Sequence, residues 1–224
     1  MEVYRIEHST DPAVVGVSMQ IRQFSNDNRE DCILYPPKNE FGIFPFDTVF
    51  PIYRMERNAI LTDLVSNVPL GNPLMISHRC LNLLEKFNLP KYQTFPLKFK
   101  QRGKLYENYV ALAFLKDPTY INCISWENSL FYKTKDFHRT RISDYKIHSM
   151  EEFSQRKEEL EKEGFGLYPE IRIRYPYEYD IINFNTFPLP FGYLCGGKVK
   201  TLITDAKLTG FKFERLSDTT FIDH

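Results

Sequence analysis

The segment LMISHRCLNLLEKFNLPKYQTFPL, residues 74–97, decides the fold because it carries the signals of a helix and of the strand that follows it. Ser77 can cap the first helical turn, since its side-chain oxygen can accept a hydrogen bond from a free amide there. Asn88 can adopt the left-handed conformation that ends a helix, and Pro90 cannot continue the helical hydrogen bonds. The apolar residues between these signals recur at the spacing of one helix face: Cys80, Leu83, Leu84 and Phe87. We therefore expect an amphipathic helix that packs on a sheet.

The residues after this helix predict a hairpin of two strands. Phe95, Leu97 and Phe99 alternate with polar residues or proline, which is the pattern of a strand with one buried face. The sequence QRGK at 101–104 supplies a tight turn. Residues 106–115 predict a second strand, and its run YVALAFL at 109–115 has almost no polar residue, which indicates burial on both faces.

The other predicted elements follow no βαβ order. We expect strands at 3–7, 14–24, 120–126, 171–175, 180–184 and 209–216, a capped and mostly exposed helix from Ser149 to Gly164, and a short helix at about 198–207. This pattern favours an α+β fold with a mainly antiparallel or mixed sheet and excludes a doubly wound Rossmann-type sheet. The cluster NVPLGNP at 67–73 predicts a hinge between a β-rich lobe, residues 1–70, and an α+β domain, residues 71–224. The two parts could also form one compact unit.

Composition limits the classes of function. With 224 residues the chain can form a core without disulfides, and its four cysteines show no metal-binding or CxxC spacing, so we expect buried free thiols. The sequence contains neither a signal-peptide pattern nor an apolar span of membrane length, which predicts a cytoplasmic protein. The net charge is zero, but Gly71–Met150 holds 13 basic and 6 acidic residues. This excess makes an anionic partner for the middle third worth considering.

Patterns that could support catalysis or cofactor binding are incomplete. GYLCGGKV at 192–199 resembles a phosphate-binding loop, but Val199 replaces the hydroxyl residue that would bind magnesium. Ser77, His78 and Arg79 are adjacent, and neighbouring side chains on a helix do not face one another. The histidines lack HExxH or HxH spacing. We therefore predict no catalytic, cofactor-binding or metal-binding residue.

Basic and aromatic residues mix in the stretch 131–146, which gives weak candidates for partner binding. The candidate residues are Lys133, Lys135, Arg139 and Arg141. Cations beside Phe131, Tyr132, Phe137 and Tyr145 could bind a nucleic acid or an acidic protein. The same alternation is typical of a solvated strand with one buried face, so all three interpretations remain open.

Three blocks of the sequence resemble a family of bacterial polymorphic-toxin immunity proteins, long catalogued as a domain of unknown function. The blocks are ISHRCLNLLEKFNLPKYQTFPLKF at 76–99, YVALAFLKDPTYINCISWENSLF at 109–131 and TDAKLTGFKFERL at 204–216. The residues that match the family pattern are Ser77, Leu84, Leu89, Pro90, Phe95, Pro96, Cys123, Ile124, Trp126, Ser129, Leu208, Thr209, Gly210, Phe211 and Phe213. The segment between Lys133 and Gly197 carries no part of the match.

The resemblance implies a cytoplasmic, non-enzymatic protein that binds and neutralises a cognate toxin, with no cofactor and no membrane association. The matching residues are mostly apolar, and we expect them to form core rather than interface. A nucleic-acid-binding module using residues 131–146 is the alternative. Exposed strand edges near the many prolines would also permit a homodimer.

Overall fold

The computed structural model describes residues 2–24, 42–66, 73–115, 117–135, 140–174, 178–186 and 189–216. The fold is α+β with antiparallel and mixed sheets, which confirms the predicted class. The elements in chain order are β1 (Val3–His8), α1 (Pro12–Val15), β2 (Ile21–Phe24), β3 (Ile52–Met55), β4 (Leu64–Val65), β5 (Leu74–Ser77), α2 (His78–Leu84), β6 (Tyr92–Gln101), β7 (Lys104–Phe114), a 3₁₀ helix (Pro118–Cys123), β8 (Leu130–Thr134), β9 (Arg141–Tyr145), α3 (Met150–Lys162), β10 (Gly166–Glu170), β11 (Ile181–Thr186), β12 (Leu189–Gly196), α4 (Gly197–Asp205) and β13 (Phe211–Arg215).

The chain forms two compact units. Unit 1 comprises Met1–Lys116, Glu178–Asn185 and Phe191–Arg215, and unit 2 comprises Asp117–Tyr177, Thr186–Pro190 and Leu216–His224. The boundary predicted near residue 70 lies in 67–72, outside the described residues. Strands from both sides of it belong to one six-stranded sheet, in the order β2-β3-β6-β7-β5-β4. The two units therefore divide the chain at other positions than the two predicted parts.

The centre of this six-stranded sheet is buried on both faces, as YVALAFL predicted. Val110, Leu112 and Phe114 of β7 point into one apolar cluster, and Tyr109, Ala111 and Ala113 point into another. On β6 the residues Phe95, Leu97 and Phe99 are buried in the second cluster, in agreement with their alternation. The hairpin turn falls at the predicted place, with positive φ angles at Arg102 (49°) and Gly103 (81°).

A second sheet has four strands, in the order β11-β12-β1-β13, and lies largely in unit 1, which also contains α1, α2 and α4. Its strand β1 pairs antiparallel with both β12 and β13. One face of this sheet joins the first cluster through residues such as Tyr4, Ile6 and Tyr193, and helices α2 and α4 add Cys80 and Val199. A single core therefore connects both sheets of unit 1.

Helix α2 begins as predicted but ends earlier. The Ser77 side chain accepts a hydrogen bond from the Cys80 amide at 3.1 Å, which confirms the cap. The helix closes at Glu85 in right-handed geometry, so the expected left-handed cap at Asn88 is wrong. Asn88 instead contacts a distant segment, because its backbone N–H donates a hydrogen bond to the Asp180 carboxylate at 2.9 Å.

Two predicted strands are partly or wholly helical. Residues 12–15 form α1, capped by Asp11, and only Ile21–Phe24 of the strand expected at 14–24 is extended. Pro118–Cys123 forms a 3₁₀ helix capped by Asp117, where a strand was expected at 120–126. In both cases an aspartate caps the turn and the proline after it takes the first helical position, where its missing N–H costs nothing.

Unit 2 contains a three-stranded antiparallel sheet, in the order β10-β8-β9, and helix α3. The helix has the predicted start, since Ser149 accepts a hydrogen bond from the Glu152 amide at 3.2 Å. Its buried residues are Phe153 and Leu160, which agrees with the expectation of a mostly exposed helix. Phe153 packs with Phe131 and Ile147 in the core of this unit.

Candidate functional site

Strands β8 and β9 carry the described residues of the predicted basic and aromatic surface. The two strands pair antiparallel, so that Phe131 lies opposite Tyr145 and Lys133 opposite Ser143. Lys135 is exposed just after β8, and Arg141 is exposed at the start of β9. Arg139 lies outside the described residues. The hairpin thus brings three of the four candidates to neighbouring positions in unit 2.

Two of these three cations are already paired. The Lys133 ammonium lies 3.1 Å from a Glu163 carboxylate oxygen and 3.6 Å from the centre of the Phe165 ring, with a side chain only 17% exposed. Arg141 donates to Asp144 at 2.6 Å and lies over the Tyr132 ring. Its hydrogen bond with Asp144 raises the pKa of Arg141 and lowers the pKa of Asp144. A cation that is paired within the chain attracts an outside partner only weakly. Of the described candidate residues, Lys135 is therefore the one whose charge has no partner in an ion pair.

Unit 1 contains a polar cluster that is centred on Asp63 and that no sequence pattern indicated. One carboxylate oxygen accepts from the Ser77 hydroxyl at 2.7 Å, and the other accepts from the Thr209 amide at 2.9 Å and the Thr209 hydroxyl at 3.2 Å. The backbone of Asp63 adds a bond from the Ser77 amide to its carbonyl oxygen at 2.9 Å. Asp63 therefore joins two segments that are distant in sequence, and no pattern in LTDLV marks it.

The glycine next to this cluster is closely packed. Gly210 has a φ of 88°, and a Cβ atom added to it would lie 2.1 Å from the Leu64 carbonyl oxygen. Its neighbour Leu208 is buried, and Phe211 and Phe213 pack against the same apolar cluster. Of the matching residues in the third block, Leu208 and Gly210 are thus buried, Phe211 and Phe213 are partly buried, and Thr209 is exposed.

The segment that resembled a phosphate-binding loop has a different structure. Gly192–Gly196 belongs to β12, which pairs antiparallel with β1, and α4 begins at Gly197 without an intervening loop.

A cleft of about 400 Å³ lies beside the start of α4 and is lined by residues that include Glu2, Tyr4 and Lys200. The Tyr4 hydroxyl donates to Glu2 at 2.7 Å, and this bond lowers the pKa of Glu2. The Lys200 ammonium lies 4.1 Å from the centre of the Tyr4 ring. The side chains of Glu2, Tyr4 and Lys200 therefore each have a partner within the chain.

The thiols and the phenols of the core are protected by burial. Cys80 and Cys195 are free and buried, and Cys123 is free and half-buried; Cys32 lies outside the described residues. Burial raises the pKa of Cys195 to about 12 and also raises the pKa of Cys80, Tyr109 and Tyr193. In the described part of the chain, no group of three or more His, Cys, Asp or Glu side chains could hold a metal ion.

The raised pKa values of these buried thiols and phenols predict that the stability of the folded chain falls in alkaline solution. The unfolded chain releases their protons near the ordinary pKa values of 9.0 for cysteine and 10.0 for tyrosine, whereas the folded chain retains them. Because the unfolded state then binds fewer protons, the free energy of unfolding should decrease above about pH 9, by up to about 1.4 kcal/mol per pH unit for each group. Urea unfolding between pH 8 and pH 11 measures this slope. Tyr193→Phe should make it less steep above pH 10, and a stability that is constant over this range would contradict the prediction.

The comparisons with known proteins add no family. No protein-family model, no curated protein and no solved structure matches the chain. Among the described residues, none of the helices combines the length and the apolar character needed to cross a bilayer.

Proposed function

We propose that this chain is a non-enzymatic binding protein of the immunity type, which neutralises a toxin protein by binding it in the cytoplasm. Binding alone would produce the effect, by covering or distorting the toxin. Such an interface needs a few well-packed anchor residues and complementary charge, and it needs neither a cofactor nor a catalytic group.

One observation supports this proposal most directly. Ser77 of the first resembling block and Thr209 of the third bind the same carboxylate, that of Asp63, although Thr209 lies 146 residues from Asp63 in sequence. Both resembling blocks therefore contribute to unit 1, where they meet at the carboxylate of Asp63. Their convergence makes the resemblance consistent with a single scaffold.

The experiment is a growth test with the product of the gene adjacent to this one. If that product arrests growth when expressed alone, co-expression of this chain should restore growth, and the two proteins should co-elute in gel filtration. A destabilised variant such as Gly210→Ala should restore less growth at the same expression level. The proposal fails if no neighbouring product is toxic, or if this chain does not relieve the toxicity.

A further inference from the structure

One end of the six-stranded sheet in unit 1 carries four exposed cations, which we call the basic end. They are Arg54 near the end of β3, Arg57 in the turn after it, and Arg102 and Lys104 at the tip of the β6–β7 hairpin. The strand β3 runs parallel to β6 with Arg54 beside Lys100, so the end of β3 and the hairpin tip are neighbours. Within the described chain, none of the four cations forms an ion pair.

Among the described cations of unit 2, six form ion pairs, whereas Lys135, Lys146 and Arg172 do not. Lys133 pairs with Glu163, Arg141 with Asp144, and Arg174 with Glu127. The charged residues of α3 pair along the helix in the same way, through Arg156, Lys157 and Lys162. In the described part of the chain, the basic end therefore groups four cations without an ion pair in one place, where they are available to a partner.

The basic end is held in a fixed conformation. The Gln101 side-chain amide donates to the Glu56 carbonyl oxygen at 2.8 Å and to the Ala59 carbonyl oxygen at 2.7 Å. The Arg102 side chain donates to the Arg57 carbonyl oxygen at 3.1 Å. These bonds fasten the hairpin tip to the turn that carries Arg57. A preorganised surface loses less conformational entropy when it binds, which favours affinity.

Exposed aliphatic side chains accompany the cations. Leu105 is 42% exposed and lies opposite Lys100 in the hairpin, and Ile60 is 48% exposed one residue after Ala59. The aromatic side chain of this region, Tyr106, is half-buried under the Lys104 ammonium, 4.8 Å from its ring centre. Surfaces that bind single-stranded nucleic acid present aromatic rings to the bases, which the exposed Leu105 and Ile60 do not supply, whereas arginine is enriched in protein–protein interfaces.

We propose that the basic end is the docking surface for an acidic region of a protein partner. The inference rests on the proposed function, because it names the surface through which this chain would contact its toxin. Carboxylates on the partner would bind Arg54, Arg57, Arg102 and Lys104, and Leu105 would supply apolar contact. Uncompensated charge of one sign increases the rate of association with an oppositely charged partner, and added salt reduces this effect.

The test uses fluorescently labelled poly-L-glutamate as the acidic probe. A single-stranded DNA oligonucleotide with the same total charge is the alternative probe. The variant is Arg54→Glu/Lys104→Glu. The matched control is Lys135→Glu/Lys146→Glu, which changes two exposed lysines of unit 2 and gives the same net charge. We expect the first variant to bind poly-L-glutamate at least tenfold more weakly than the unmodified chain, and the control to stay within about twofold. Circular dichroism verifies that both variants are folded.

Three results would overturn the inference. Poly-L-glutamate could fail to bind the unmodified chain, both variants could weaken its binding equally, or the DNA could bind more tightly and lose affinity only in Arg54→Glu/Lys104→Glu. The last result would assign the surface to a nucleic acid.

The growth test separates this inference from the proposed function. If both variants rescue growth equally, the docking surface is wrong and the immunity function stands. If the chain rescues no growth but the poly-L-glutamate result is as expected, the surface stands and the immunity function fails.

Discussion

Gly210→Ala is expected to lower the free energy of unfolding by about 3 kcal/mol or more, because two separate costs act at one position. The backbone there has a φ of 88°, which residues with a Cβ atom rarely adopt. The new methyl group would also lie 2.1 Å from the Leu64 carbonyl oxygen and 2.8 Å from Thr62 Cβ. Since the nearest contact is backbone, it cannot be relieved by a side-chain rotation. Urea denaturation followed by circular dichroism measures the loss.

Gly103→Ala is the matched control for this prediction. Gly103 has a similar φ of 81°, but no heavy atom lies within 4 Å of the position that its Cβ would occupy. The control therefore includes the cost of the backbone conformation without the collision, and it should lose only about 1 kcal/mol. Equal losses in the two variants would show that the contact with Leu64 contributes nothing.

Asp63→Ala should cost about 3 kcal/mol, since it removes the acceptor of three hydrogen bonds from Ser77 and Thr209. The Ser77 hydroxyl is buried, so water cannot easily replace the lost partner. Thermal unfolding and urea titration both measure the effect.

Two substitutions calibrate the role of Asp63. Asp63→Asn keeps one acceptor oxygen and should lose about half as much stability as Asp63→Ala. Asp11→Ala removes an exposed carboxylate that caps α1 through one bond, from the Ala13 amide at 2.9 Å, and should cost about 1 kcal/mol. If Asp63→Ala were no more harmful than Asp11→Ala, the carboxylate would not be what joins the two segments.

The elements that were predicted correctly have local signals. The start of α2, the β6–β7 hairpin and the start of α3 each depend on residues within about one turn or one strand pair of one another. The two predicted strands that are helical share one cause, the pair of an aspartate and a proline. Asp11 with Pro12 and Asp117 with Pro118 each start a helical turn, but the apolar alternation that follows them led to a strand assignment. A capping residue directly before proline was the stronger signal in both places.

The candidate site was harder to predict because charge compensation depends on tertiary contacts. The partner of Lys133 is Glu163, which lies 30 residues away across the fold of unit 2. The excess of positive charge in the middle third was visible in the sequence, yet which of its cations form ion pairs was not. Asp63 carries no motif, and its partner Thr209 is 146 residues away.

The pairing of β1 has a consequence for the order in which the chain folds. Both neighbours of β1 lie far along the sequence, with Tyr4 opposite Cys195 on one side and opposite Arg215 on the other. During synthesis β1 therefore leaves the ribosome long before either neighbour exists, while β6 and β7 can pair at once. The apolar side chains of Val3, Tyr4 and Ile6 stay exposed until β12 and β13 have been synthesised. During this period a chaperone could bind them. The four-stranded sheet closes last, and its formation reports that nearly the whole of unit 1 has been made.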